Sequence, residues 1–358
     1  MKLLMIAALV ALVGTQMSFG EYPDGRPEAK LRMDAKDAGI VFKHGSAPAQ
    51  CDIYGARDVW VFEANGSNGK KTAFMHYDAA GPKGWLCALA TSDDLTSWTA
   101  HGTVLDLGTT GSDDSRSASY GTTYLEPEGS WHMFYLGTPH VTAAPDCIPS
   151  FPYMTMKAKA NSPYGPWIKQ PDVTPFRPIP GTYTASTASP GHIVRDGSAY
   201  LQFFSASMVD KTGCHRTLSI ARTNDLDSSW TLNTEPILPL AEQIENSSLY
   251  FEPSIKTWFL FTNHIGMDAN GAEYTDAVWV YWSKDLEHWS PENKAIVLDG
   301  KNCSWSKRCI GLPSVLPWEG RLAVFYDAPG GESISHMKRD VGLAWLDLPL
   351  HIPTAEAK

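Results

Sequence analysis

Carboxylates set at the ends of short apolar runs are the chemically suggestive residues of this sequence. Asp58 stands in "GARDVWVFEANG", and Glu245 stands in "AEQIENSS", just before "LYF". Two carboxyl groups do acid–base work when their surroundings hold their proton affinities apart. One stays protonated and gives its proton to a leaving oxygen; the other is ionised and activates water or attacks carbon. That is what breaking a glycosidic bond requires. Arg57 beside Asp58 suits Asp58 to the ionised role, although adjacent side chains of a regular strand face opposite ways. Apolar Ile244 beside Glu245 suits Glu245 to the acid role. His192 of "SPGHIV" lies between the two in chain order and suits an orienting or proton-transfer role.

Further polar residues are placed to meet a substrate. Asp78 in "HYDAAG" and Asp327 in "FYDAPGG" end similar runs, where a carboxylate accepts bonds from a sugar diol or caps its own turn. Asp276 opens "DAVWVYW", and His264 of "FTNHIG" is either a core histidine or a site residue. Tyr120 follows the Ser-rich "DDSRSAS", expected to be a loop over the site. Arg308 lies between Cys303 and Cys309, a pair that could close a small loop and present the guanidinium to an anionic group. No cysteine pair has the short spacing of a structural zinc site.

These residues need elements that bring them together, and the punctuation of the chain supplies them. "TSDDLTSW", "TNDLDSSW" and "SKDLEHW" end at Trp98, Trp230 and Trp289, and a looser "NSPYGPW" ends at Trp167. Their spacing of about sixty to seventy residues is that of a repeated supersecondary unit. Each unit holds two β-rich runs about a turn such as Asn-Gly, Asp-Gly or Glu-Gly. A third run follows: "GWLCALATS", "MTMKAKA", "RTLSIARTN", "AVWVYWSKD" and "DVGLAWLDL". Five such units with little helical periodicity predict an all-β fold, a five-bladed β-propeller, as a single domain over residues 21–358. In a propeller the first strand of every blade begins at one mouth of the axis. The five equivalent places are then Asp58, Ser119–Gly121, Ser189–His192, Glu245 and the region of Arg308.

The order of strand runs, Asp58 before "VWVFEANG" and the repeated S-x-D-L-x-x-W ends resemble the five-bladed propeller glycoside hydrolases, the group that includes families 43, 32, 62, 68 and 117. The resemblance covers most of the chain as architecture and is specific at few sites. It implies a base at Asp58, an acid at Glu245, and inversion at the anomeric carbon. The second Asp that family 43 carries in its third blade falls here in "SPGHIV", without a carboxylate. The "NDPNG" and "RDP" signatures of the fructan families are missing. Family 117 places a His in the site, which His192 or His264 would supply.

Composition narrows the partners. A net charge of −10 without a Lys/Arg cluster argues against nucleic acid or an anionic membrane. Residues 1–20 read as a secretory signal: Lys2, an apolar "LLMIAALVALVG" and a polar exit at "TQMSFG". The expected product is a secreted or periplasmic protein acting on plant or algal oligo- or polysaccharide. No cofactor is required, and the histidines leave room for a structural divalent cation in the central channel. Two alternatives stay open: a propeller phosphorylase, which needs a basic cluster that scattered Arg57, Arg195 and Arg308 do not make, and a sugar-binding propeller without catalysis.

Overall fold

In the computed structural model, residue 22, residues 25–67 and residues 69–354 are described; the expected signal falls outside them. Among the described residues strands dominate, and the helical content is two short 3-10 turns, Pro48–Gln50 and Leu240–Glu242. None of the described helices is long and apolar enough to cross a bilayer.

Two strands lead the chain, β1 (Leu31–Arg32) and β2 (Lys36–Phe42). The first repeat then forms β3 (Gly55–Asn65), β4 (Lys71–Gly81), β5 (Gly84–Ser92) and β6 (Thr99–Thr103), paired antiparallel in sequence. The second is β7 (Ser117–Leu125), β8 (Trp131–Thr138), β9 (Tyr153–Ala160) and β10 (Ile168–Lys169). The third is β11 (Thr187–Asp196), β12 (Ala199–Asp210), β13 (Gly213–Thr223) and β14 (Thr231–Leu232). The fourth is β15 (Ile244–Glu252), β16 (Thr257–Met267), β17 (Glu273–Ser283) and β18 (Lys294–Leu298), with β1 added parallel to β18. The fifth has only β19 (Ser314–Trp318), β20 (Arg321–Ala328) and β21 (Asp340–Asp347) from its own stretch. Its fourth strand is β2, from the other end of the chain.

The core is divided among the seams between consecutive repeats. One apolar cluster joins the first and second repeats, and others join the second to the third, the third to the fourth and the fourth to the fifth. A further cluster joins the fifth back to the first, through Phe325 and Leu343 on one side and Val61 and Met75 on the other. The repeated tryptophans staple these seams. Trp98 packs on Phe325, Trp167 on His76, Trp230 on Phe134 and Trp289 on Phe203, with ring centroids 5.4–6.0 Å apart. Each partner lies on the second strand of the preceding repeat. The turns before Trp98 and Trp289 are built by an Asp: Asp94 Oδ1 accepts Thr96 and Ser97 N–H, and Asp285 Oδ1 accepts Glu287 and His288 N–H. Trp98 and Trp289 then donate Nε1–H to Leu95 and Leu286 carbonyls at 3.0 Å.

A bulge recurs in the first strand of four repeats. Pairing skips between Arg57 and Trp60, Ala118 and Gly121, Ser189 and His192, and Glu245 and Ser248. Aligned by this skip, Asp58 corresponds to Ser119, Pro190 and Asn246, while Glu245 corresponds to Arg57. Glu245 is thus one position short of strict equivalence with Asp58. His192 corresponds to Trp60 and Ser248, beyond the bulge. The Ser-rich stretch expected to be a loop is irregular through Arg116 and then opens β7 at Ser117, with Ser117 and Ser119 buried.

A bulge leaves backbone groups without a ladder partner, and the second strand of the preceding repeat satisfies them. Asp78 Oδ1 accepts Tyr120 N–H at 2.5 Å, Ser205 Oγ accepts Asn246 N–H at 2.8 Å, and Asp327 Oδ1 accepts Asp58 N–H at 3.0 Å. Ahead of the fifth repeat, which has no such bulge, Asn263 Nδ2 donates to the Ile310 and Gly311 carbonyls at 3.1 and 2.8 Å. The remaining repeat has Pro190 at its bulge, with no N–H to cap, and Gly137 where the others carry a polar side chain. Asp327 therefore caps its neighbour's backbone, not its own turn. It is fully buried, and its Oδ2 accepts from Arg339 Nη1 at 2.8 Å. The substrate-contacting role expected for Asp327 is replaced by this supporting one.

Removing Asp327 strands a guanidinium that is itself buried. Asp327→Ala is expected to cost about 3–5 kcal/mol, the range for breaking one partner out of a buried ion pair. A lower urea midpoint with an unchanged slope would show it.

Candidate active site

Asp58 has a left-handed backbone, φ 49°. That conformation, tolerated by Asp and Asn better than by most residues, turns consecutive side chains toward one side. Arg57 consequently does not face away from Asp58 as a regular strand would require. Its Nε and Nη2 bond Asp58 Oδ2 and Oδ1 at 2.8 and 3.1 Å. Arg57 Nη1 also donates to His336 Nδ1 at 2.8 Å, and its guanidinium lies 5.1 Å from the Trp85 ring centre. Burial and the adjacent guanidiniums push the His336 pKa down to about 2, so the ring is neutral and free to accept that bond.

Asp78 sits under Asp58, almost fully buried. Burial first, and then the neighbouring charge of Asp58, raise its pKa well above the ordinary carboxylate range. Both effects favour the protonated form of Asp78, and its hydrogen bond with Asp58 acts in the same direction. Across the cavity, Glu245 Oε2 accepts from Arg216 Nη1 at 2.6 Å. Arg216 turns its other edge to Glu273 Oε2, with Nη2 at 2.7 Å and Nε at 3.2 Å. Burial raises the Glu245 pKa; Arg216 opposes this, and the charges of Glu273 and Asp58 add to it. The site thus holds an arginine-gripped carboxylate and, opposite, a carboxyl group biased toward its protonated form.

Asp58, Glu245, Arg57, Asp78 and Tyr120 line one cavity together with Trp85, Tyr153, Arg216 and His336. Tyr120 donates its hydroxyl to the Pro190 carbonyl at 3.2 Å. The other expected site residues lie elsewhere. His192 stands beyond the bulge, edge-on to Trp60 at 5.0 Å, with Nδ1 accepting Leu249 N–H; burial lowers its pKa to about 4. His264 is stacked on Trp279 at 3.7 Å and, with Asp276, binds Arg26 of the N-terminal segment. That pair anchors the chain's start to the fourth repeat. Arg308 lies over the ring of Tyr274, outside the cavity. Cys303 and Cys309 are unbridged; their sulfurs meet Tyr326 and Arg339. Among the described residues no group of three or more His, Cys, Asp or Glu could hold a metal ion.

Sequence reasoning passed over Trp85, Tyr153, Arg216, Glu273 and His336. Four of these sit at or near the starts of third strands, β5, β9, β13 and β17. An antiparallel hairpin returns that end to the same mouth as the second strand's close, so the third runs could have been searched as the first were. His336 comes from the long β20–β21 connection and has no such signal.

No protein-family model matches the chain, and no curated protein matches it in sequence. Solved structures do match it. BT0996, in a complex with RGII, superposes with a TM-score of 0.65 at 15% identity, over 90% of this protein and 96% of that one. The catalytic domain of Coprinopsis cinerea GH62 α-L-arabinofuranosidase gives 0.61 at 12%, over 88% and 98%. Zg3597, a family 117 glycoside hydrolase of Zobellia galactanivorans, gives 0.59 at 13%, over 90% and 93%. The chain has the fold of these glycoside hydrolases, the group that its strand order resembles.

Asp78→Ala removes the acceptor of the Tyr120 N–H and is expected to destabilise by about 1–3 kcal/mol, whereas Asp78→Asn can keep both bonds. Because the folded-state pKa of Asp78 is raised, its contribution is whole below the unfolded value of about 3.9 and declines as pH rises above it. Urea unfolding at several pH values should show this decline in the wild type and not in Asp78→Asn.

Proposed function

We propose that the chain is a secreted five-bladed β-propeller glycoside hydrolase that cleaves terminal glycosidic bonds of plant or algal oligo- or polysaccharides with inversion. Asp58 is the base and Glu245 the acid. The observation that carries this reading is their meeting in one cavity from the first and fourth repeats, each gripped by its own arginine, with Glu245 biased toward the protonated form. Water held by Asp58 attacks the anomeric carbon as Glu245 protonates the departing oxygen. The carboxyl that backs the base is Asp78; His192, held beyond the bulge, is not required for proton transfer.

Several features support the finer parts. The first strand of the fifth repeat lies against that of the first, as blades around one axis require. Two long connections, residues 139–152 and 329–339, bring Ile148, Pro149 and His336 to the cavity wall, which suits a chain end better than a chain interior. Similar folds include an endo-arabinase from Bacteroides thetaiotaomicron and α-L-arabinofuranosidases, consistent with a plant-type glycan. Export rests on the first twenty residues. A phosphorylase would need a cation ready for phosphate, and Arg57 and Arg216 are both engaged by carboxylates.

Asp58→Asn and Glu245→Gln are each expected to lower kcat on an oligosaccharide by about 100-fold or more, with ligand binding retained by Glu245→Gln. NMR of the first-formed product should show the inverted anomer. A wild-type protein that binds sugar and turns over nothing in a broad glycoside screen would instead be a binding module. Glu273→Gln removes a charge that raises the Glu245 pKa, so the alkaline limb of the kcat/KM profile should move to lower pH.

A further inference from the structure

Two cavities meet at Glu245. The first, about 110 Å³, contains Asp58 and Asp78; the second, about 260 Å³, contains Phe151, Tyr274 and Glu273. Glu245, Arg216, Arg57, Tyr153 and His336 are among the residues that line both, whereas Asp58 and Asp78 line only the first. The acid must stand where the bridging oxygen departs, and the base where water reaches the anomeric carbon. If Asp58 and Glu245 act as proposed above, the sugar under attack occupies the first cavity and the group beyond the bond enters the second.

The walls of the second cavity suit one kind of occupant. Phe151 is pinned by Arg216, 5.6 Å from its ring centre, and by Tyr153 at 4.9 Å. Tyr274 is backed by Arg308 at 5.2 Å and lies across Gly266, where an added Cβ would meet the ring at 3.0 Å. Both rings are half-buried rather than sunk in a core. Rings fixed from behind offer apolar surface without the entropy cost of ordering it. Glu273, whose side chain is 25% exposed, adds an acceptor for hydroxyl groups.

We propose that this second cavity is the leaving-group subsite and that it takes a sugar residue, with an apolar ring face against Phe151 and Tyr274 and hydroxyls toward Glu273. It rests on the Asp58/Glu245 assignment, and it gives Arg308 a role in holding Tyr274 from behind.

Glycosyl fluorides test this, because their departing group is a single atom that needs no such subsite. Phe151→Ala, Tyr274→Ala and the milder Phe151→Leu would be assayed on a disaccharide of the preferred sugar and on the matching glycosyl fluoride. The ratio of disaccharide to fluoride kcat/KM is expected to fall about tenfold or more in the alanine variants and less in Phe151→Leu. A ratio that stays at the wild-type value, whether both rates fall together or neither falls, would overturn the subsite. Wild-type protein inert toward a panel of both substrate types would sink the hydrolase reading itself.

Discussion

An unpaired backbone N–H at a β-bulge is the constraint around which this molecule is arranged. Bulging the first strand of a repeat re-aims its side chains toward a shared mouth, but it also removes ladder partners in a buried place. Three of the bulges receive the missing acceptor from the end of the preceding repeat's second strand, at Asp78, Ser205 and Asp327, while Asn263 at the same position donates to carbonyls ahead of the fifth repeat. Where the bulge carries Pro190, the corresponding position is Gly137. The same contacts that satisfy the backbone hold adjacent repeats in register, so the site cannot be assembled by one repeat alone.

This arrangement gives the two buried aspartates different tasks. Asp327 is balanced by Arg339 and acts as an ionic support under Asp58. Asp78 has burial and the Asp58 charge against its ionised form, and both raise its pKa. Asp58 in turn is gripped by Arg57, and Glu245 shares Arg216 with Glu273. A guanidinium shared between two carboxylates cannot fully favour ionisation of either one. Burial is the larger effect that raises the Glu245 pKa, and the sharing limits how far Arg216 can oppose it.

Much of the fold was legible because it repeats. The third runs named from the sequence coincide closely with β5, β9, β13, β17 and β21, and the Asp-Leu…Trp ends precede β6, β14 and β18. What local pattern could not show was the fifth repeat's fourth strand. β2 pairs with β21 across almost the whole sequence, and nothing in "KDAGIVF" specifies so distant a partner. Arg308, His264 and Asp276 misled for a related reason: polar residues beside aromatic runs look alike whether they face a cavity or tie down a neighbouring segment.

The sequence by itself determined the strand units, the turns that divide them and the residue types at their ends, because these follow from side-chain alternation, β propensity and turn chemistry over a few residues. It also singled out Asp58 and Glu245, since carboxylates at the ends of apolar runs are conspicuous. Tertiary structure alone decided that Arg57 folds back onto Asp58, that Asp78 is buried beside it and that Arg216 and Glu273 attend Glu245. Those outcomes depend on a one-residue bulge and on groups drawn from other repeats. A left-handed Asp and a shared guanidinium are matters of register and of electrostatics across space, and neither is encoded in neighbouring residues.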